Sequence, residues 1–316
     1  MCIAFCLSLS AEALCLDAKV SKALTNYIIA GFYEAQGQTD AAIQEYKRAL
    51  RIDPDNPAIH VDLAVNYIRN NDSAKAIEEL NLSVKLDPAA VEPHTLLALL
   101  YSSLNKTEEA NKEYEIALRN ASKLQPENIE IYNILGVIYL RQNKLKEAQG
   151  TFELILKLAP GNAAAHFYLA TIYDEQKLRP QAVEELKQAI AINPDYAEAL
   201  NYLGYVYVEE NKNLDQAQIL IQKALEIDPD NGAYIDSLGW LYFKQGKYSE
   251  ALAELKRAKS LLDDPVIYDH LGDAYFQLND FENAKISWQR SLELDPKQDK
   301  VKNKIEEIDA VQRKAD

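Results

Sequence analysis

The segments beginning at Ala23, Pro57, Val91, Ile129, Ala163, Ala197, Gly232 and Pro265 align with one another, at spacings of 34, 34, 38, 34, 34, 35 and 33 residues. This period constrains the fold more than any other property of the chain. A unit of that length cannot bury an apolar face alone and must bury it against its neighbours. The expected product is a linear array of supersecondary units, although 316 residues would otherwise suggest about two globular domains.

The same residue types return within each unit. First comes a Leu-Gly/Ala-x-x-Tyr element: Ile29-Ala30-Tyr33, Leu63-Ala64-Tyr67, Leu97-Ala98-Tyr101, Leu135-Gly136-Tyr139 and so on to Leu271-Gly272-Tyr275. A small residue then precedes a bulky one by four positions, as in Ala42/Tyr46, Ala76/Leu80, Ala148/Phe152, Ala217/Ile221 and Ala284/Trp288. A proline closes most units: Pro54, Pro88, Pro160, Pro194, Pro229 and Pro296. Leu and Tyr four apart lie on one helix face. The Gly or Ala between them leaves a notch that the Ala of a second helix can fill, since interaxial distance follows side-chain size. Each unit therefore predicts two helices packed closely together. No proline falls inside a predicted helix; Pro57, Pro93 and Pro180 sit in first turns, where the missing N–H costs nothing. Gly37 and Gly246 stand where first helices should end.

This pattern resembles the tetratricopeptide repeat, over about residues 23–298. The resemblance implies an all-α fold, an α-solenoid of about eight tandem helix-turn-helix repeats. Their bounds read 23–56, 57–90, 91–128, 129–162, 163–196, 197–231, 232–264 and 265–298, after an N-terminal segment 1–22. Residues 299–316 predict a capping helix, with Val301, Ile305 and Ile308 on one stripe. Two junctions depart from the pattern. The third repeat has Ser122 at the proline position and is four residues longer, and the sixth has one extra residue near Lys212 and Asn213. Both are expected to swell a loop.

Composition narrows the function. The net charge is −15 and the pI about 4.8. No basic stripe exists to displace counterions from nucleic acid, and the charge opposes docking on anionic lipid. The acidity fits a soluble, self-repelling surface, or a preference for basic partners. Cys2, Cys6 and Cys15 are the only cysteines, so the repeats hold no disulfide framework. Residues 2–9 form a short apolar run, followed by Ala11 and Ala13 in an A-x-A pattern without a charged region before it. Two readings stand: an exported protein with a signal-like N-terminus, or an N-terminal helix packed on the first repeat.

No pattern of residues carries catalysis. His60, His94 and His166 share one repeat position and His270 stands elsewhere, without metal-ligand spacing. Phosphate loops and nucleophile elbows are absent. No catalytic residue, cofactor, metal or small-molecule substrate is expected. In the tetratricopeptide family the first helices line a groove at about positions 2, 5, 6, 9, 12 and 13 of each repeat. Carried onto this chain, the N-terminal half of such a groove is apolar: Ile28, Val61, Val65, Leu96, Leu99, Ile134 and Val137. The C-terminal half presents Phe167, Tyr168, Asn201, Tyr202, Tyr205, Asp236, Trp240, Phe243, Asp269, Asp273 and Phe276. Aromatic anchors beside carboxylates and an amide suit protein recognition, and the same rings could equally fill the space between repeats. The Lys/Asn/Arg clamp with which some family members grip a terminal carboxylate has no counterpart here.

The expectation is a non-catalytic scaffold or adaptor that binds a protein or an extended peptide, not nucleic acid, with homo-oligomer formation left open. The stretch from Asp228 to Ala284 is also similar to exported tetratricopeptide proteins of Gram-negative bacteria, some of them lipoproteins. That looser resemblance implies an alternative: a self-assembling component of an envelope complex, or an accessory partner of an envelope protease.

Overall fold

The computed structural model describes residues 2–315, with side chains described for residues 18–308. The side chains of Cys2, Cys6 and Cys15 and of the apolar run therefore lie outside the described set. Among the described residues the chain forms seventeen α-helices and no strand. The chain falls into two compact units, Met1–Thr151 and Phe152–Asp316.

The first unit opens with α1 (Cys2–Ala35) and α2 (Thr39–Leu50), followed by α3 (Pro57–Arg69), α4 (Ser73–Leu86), α5 (Glu92–Ser103), α6 (Thr107–Leu124) and α7 (Ile129–Arg141). The unit boundary falls inside α8 (Leu145–Leu158). The second unit continues with α9 (Ala163–Glu175), α10 (Arg179–Ile192), α11 (Ala197–Glu209), α12 (Leu214–Ile227), α13 (Gly232–Lys244) and α14 (Tyr248–Leu261). It closes with α15 (Pro265–Gln277), α16 (Phe281–Leu294) and α17 (Asp299–Ala315). Most first helices begin at or within one residue of the expected repeat starts. α1 is the exception, running unbroken through the junction expected at residue 22.

Each first helix starts and stops by local chemistry. Asn56, Asn162 and Asn231 accept backbone N–H bonds from the first turns of α3, α9 and α13, which satisfies donors that a helix start leaves free. One left-handed residue ends every first helix from α1 to α15, always fourteen positions into the repeat: Gly37, Asn71, Asn105, Asn143, Lys177, Asn211, Gly246 and Asn279. The sequence reading found the two glycines and missed the asparagines, which tolerate the same conformation because a short polar side chain bonds locally. The extra residue of the sixth repeat is a second left-handed asparagine, Asn213, in the turn before α12. The third repeat corrects the expectation of a swollen loop. Its extra residues lengthen α6 to 18 residues against 14 for α4, because Ser122 does not stop the helix where proline would.

Packing within a hairpin follows the notch. Ala76, Leu80, Ala182, Leu186, Ala217, Ile221, Ala251 and Leu255 are all fully buried on the second helices. A Cβ at Gly204 would lie 2.7 Å from Ile221 Cγ1, and one at Gly239 would lie 2.8 Å from Leu255 Cγ. At Gly272 it would fall within the Trp288 indole, which is itself buried. Glycine in a helix interior normally costs about 1 kcal/mol relative to alanine. Here the absent methyl is what lets the second helix approach. Gly272→Ala is therefore expected to destabilise the protein, by roughly 1–3 kcal/mol, against the usual helix preference. A circular dichroism melt checks the sign, and a variant as stable as wild type or more so counts against this packing.

Candidate functional site

All eleven residues expected in the C-terminal half of the groove stand on first helices of the second unit. Phe167 and Tyr168 are on α9, Asn201, Tyr202 and Tyr205 on α11, Asp236, Trp240 and Phe243 on α13, and Asp269, Asp273 and Phe276 on α15. Successive first helices touch one another, α11 on α13 and α13 on α15, and α9 meets α11 through Phe167 and Tyr202, which makes them one continuous layer.

The rings form two groups. Phe167 lies 5.2 Å from the Tyr196 ring and 6.2 Å from that of Tyr202, while Tyr168 stacks on Phe152 at 4.7 Å. These rings are half-buried, apart from the buried Phe152, and they keep an accessible edge. Tyr202 donates its hydroxyl to Asp174 at 2.6 Å, and Arg179 holds the other oxygen of the same carboxylate at 2.9 Å. Burial, and then the Asp174 carboxylate, push the Tyr202 phenol well above its ordinary range. Tyr205 is raised by burial first and by Glu209 and Asp236 second. Both stay neutral hydroxyls near neutrality.

The second group corrects the sequence reading. Trp240 is only 7% exposed and Asp236 only 5%, so neither lies open on the surface. The Trp240 indole stacks on His270 at 4.0 Å and on Phe243 at 4.6 Å, and its Nε1–H donates to Glu209 at 2.6 Å. Asp236 faces His270 Nδ1 through both oxygens, at 3.0 and 3.1 Å. Asp269 and Asp273 are also engaged, because Lys304 of α17 binds them at 2.6 and 2.7 Å. Phe276 packs into a cluster with Trp288 and Ile305. The groove carboxylates Asp236, Asp269 and Asp273 are thus paired from within the chain. Sequence reasoning missed the groups that do this, His270 and Lys304, and the carboxylates that hold the rings, Asp174 and Glu209. A signal existed, since Asp236 and His270 are 34 residues apart, and Asp269 and Lys304 are 35 apart, one repeat in each case. Tyr27 and Asp62, hydrogen-bonded at 2.7 Å and 35 apart, use the same device in the first unit.

Several shielded polar atoms have no partner, among them the Oδ1 of Asn66 on α3, of Asn133 on α7 and of Asn201 on α11. The Asn201 Oδ1 is shielded from solvent and accepts no hydrogen bond within the chain. It stands one helical turn from Tyr205 and one repeat beyond Phe167. In the first unit the expected apolar residues are less uniform: Ile28, Leu99 and Ile134 are exposed, Val61 is buried, and Val65, Leu96 and Val137 are half-buried.

The other histidines hold hairpins together. His60, His94 and His166 each place Nδ1 2.6 Å from a second-helix glutamate, namely Glu79, Glu113 and Glu185. Among the described residues no cluster of His, Cys, Asp or Glu could hold a metal ion, and no helix is long and apolar enough to cross a membrane.

Sequence models described as tetratricopeptide repeat match residues 33–100, 95–163, 135–178, 197–231, 220–253 and 265–298, and one described as TPR repeat matches 180–210. Curated protein sequences give no match. Among solved structures the chain is similar to a tetratricopeptide repeat protein from Parabacteroides merdae, at 16% identity and a TM-score of 0.59, over 80% of this chain and 98% of that one. It is also similar to a chain of the APC/C hetero-tetramer Cut9-Hcn1, at 14% identity and a TM-score of 0.59, over 92% of this chain and 70% of that one. At these identities the likeness concerns the fold.

The buried His270–Asp236 pair makes stability depend on pH. Burial disfavours the imidazolium, but Asp236 outweighs it and holds the His270 pKa above the usual 6.5. A raised folded-state pKa contributes stability that is complete below the unfolded value and fades as pH rises through the folded value. His270→Leu is expected to cost roughly 3–5 kcal/mol on the acid side, because it leaves Asp236 buried and unpaired. The gap to wild type should narrow above neutrality. Thermal melts of both proteins from about pH 6 to about pH 9 test this; a gap independent of pH rejects it.

Proposed function

We propose that this chain, which belongs to the tetratricopeptide-repeat family, is a non-catalytic scaffold that holds an extended peptide or protein segment on the first helices of its second unit. The observation that carries this reading is the Asn201 Oδ1, a shielded and unpaired acceptor among half-buried rings. Leaving such an atom unsatisfied costs about 1–3 kcal/mol, and a rotation of the Asn201 amide that brings this oxygen to the surface would let a backbone N–H of a bound peptide remove that cost. Phe167, Tyr168, Tyr205 and Phe243 supply apolar edges on either side, and aromatic anchors of this kind carry much of the energy at protein interfaces.

The engaged state of Asp236, Asp269 and Asp273 sets the expected chemistry of the partner. Apolar side chains, and not positive charge, are what the remaining accessible groups select. A rigid surface needs little ordering on binding, which favours an extended and otherwise flexible ligand. A bound chain among the family's solved members belongs to those members; here the reading rests on Asn201 and the rings.

Selection of a displayed random-peptide library on the immobilised protein tests the proposal. Enriched peptides should share apolar positions. Asn201→Ala combined with Phe167→Ala should weaken them at least about 30-fold, or ~2 kcal/mol, at unchanged helicity. Trp240 is unsuitable as a probe of binding, since its burial makes its loss a folding defect. Failure to enrich any sequence, or peptides that bind the double variant equally well, would remove the groove from consideration.

A further inference from the structure

Among the described residues, the carboxylates that first helices draw back from full exposure each face a basic group, with one exception. Glu34 meets Arg69 at 2.8 Å and Asp174 meets Arg179 at 2.9 Å. Asp236 meets His270 at 3.0 Å, and Asp269 and Asp273 meet Lys304 at 2.6 and 2.7 Å. Asp62 of α3 is half-buried like most of these, but its Oδ2 accepts from a neutral donor, the Tyr27 hydroxyl, at 2.7 Å. The charges that act on it, Glu34 and Glu92, are both negative. Burial raises its pKa, the Tyr27 bond lowers it, and Glu34 and Glu92 raise it again, so that the net direction is up. A charge withdrawn from water in this way lacks the partner that would offset its desolvation.

The surroundings of Asp62 are apolar. It is the sixth residue of its repeat, and its counterparts on the neighbouring first helices are Ile28, Leu96 and Ile134. Ile134 is 46% exposed and Leu96 half-buried, with Leu99, 52% exposed, three residues further along α5. Asp62 is therefore the one acid in an otherwise aliphatic row of the first unit. Glu92 stands exposed in the first turn of α5. Asn133, beside Ile134 on α7, keeps a shielded Oδ1 without a partner.

We propose that the first helices of the first unit hold a partner segment that seats a lysine ammonium on Asp62 and aliphatic side chains on either side of it. Charge complementarity selects this occupant, since an acid in apolar surroundings lacks only a cation. Tyr27 already holds one oxygen of the carboxylate, which leaves the other for a single contact. The guanidinium fork of arginine is built to take both oxygens, whereas a compact ammonium needs one. Glu92 adds a second negative charge to the same place. An ion pair at a partly desolvated site is also stronger than one on the open surface. The selectivity is opposite to that of the second unit, where the groove acids are paired from within the chain.

Fluorescence anisotropy of synthetic peptide pools on the full chain tests this. The peptides are N-acetylated, so that no terminal amine competes, and their flanks are random mixtures of Leu, Val, Ala, Ser and Gln. The central residue is fixed as lysine in one pool and as norleucine, its uncharged analogue, in another. The lysine pool should bind at least about tenfold more tightly, and added salt should narrow the difference. Asp62→Asn, which can still accept from Tyr27, should abolish the preference. Its melting temperature should stay at or above the wild-type level, because it removes a charge that no cation faces. Glu92→Gln, an exposed change, should reduce the preference and takes the place of Asp62→Asn if that variant does not fold. The Asn201→Ala/Phe167→Ala protein should keep the preference, which separates this site from the one in the second unit. No binding of the lysine pool, equal binding of the two pools, or tighter binding of an arginine pool would overturn the proposal. A lysine preference unchanged in the Asp62 and Glu92 variants, or lost in the Asn201/Phe167 protein, would overturn it as well.

Discussion

Close approach of two helices within each hairpin is the constraint on which the rest of this protein depends. It is set by one missing or minimal side chain on the first helix and one alanine on the second. At Gly204, Gly239 and Gly272 there is no room for a methyl group. Ile221, Leu255 and Trp288 of the second helices pack against those glycines within the hairpin, and the buried clusters run on into adjacent repeats. The apolar burial that stabilises the array is therefore shared between neighbours, as expected for a chain whose units cannot fold alone. Caps and left-handed turns set where each helix begins and ends, and so keep this contact in register from repeat to repeat.

A second layer of interactions links repeats through polar groups. Tyr27 with Asp62, Tyr202 with Asp174, Asp236 with His270 and Asp273 with Lys304 join first helices to neighbouring repeats. Buried polar groups of this kind must be paired, since an unpaired one costs more than a paired one contributes. This requirement consumes most of the carboxylates that the second unit places on its first helices. It leaves the surface selective by shape and apolar contact, with the Asn201 Oδ1 among the shielded acceptors still open. Among the described residues, α17 meets solvent mostly with charge, whereas α1 also exposes Val20, Leu24, Ile28 and Phe32.

The sequence by itself determined the helical class, the number of hairpins and nearly every first-helix start, because period and notch are local and recur eight times. It also marked which residues share the first-helix layer. It failed where a neighbour, and not the residue's own unit, decides the outcome. Trp240 and Asp236 read as surface groups because nothing within their repeat covers them; His270, one repeat later, does. Asp269 and Asp273 read as free acids because Lys304 lies in a helix recognised only as a cap. The lengthening of α6 was missed because four residues can extend a helix as readily as a loop once proline is absent. The exposure of Phe32 was equally invisible, since its position is buried in every other repeat. Pattern fixes what a residue can pack against. Only the tertiary structure decides which polar atoms are already satisfied and which apolar faces stay uncovered, because burial and pairing belong to the space between repeats and not to any single stretch of chain.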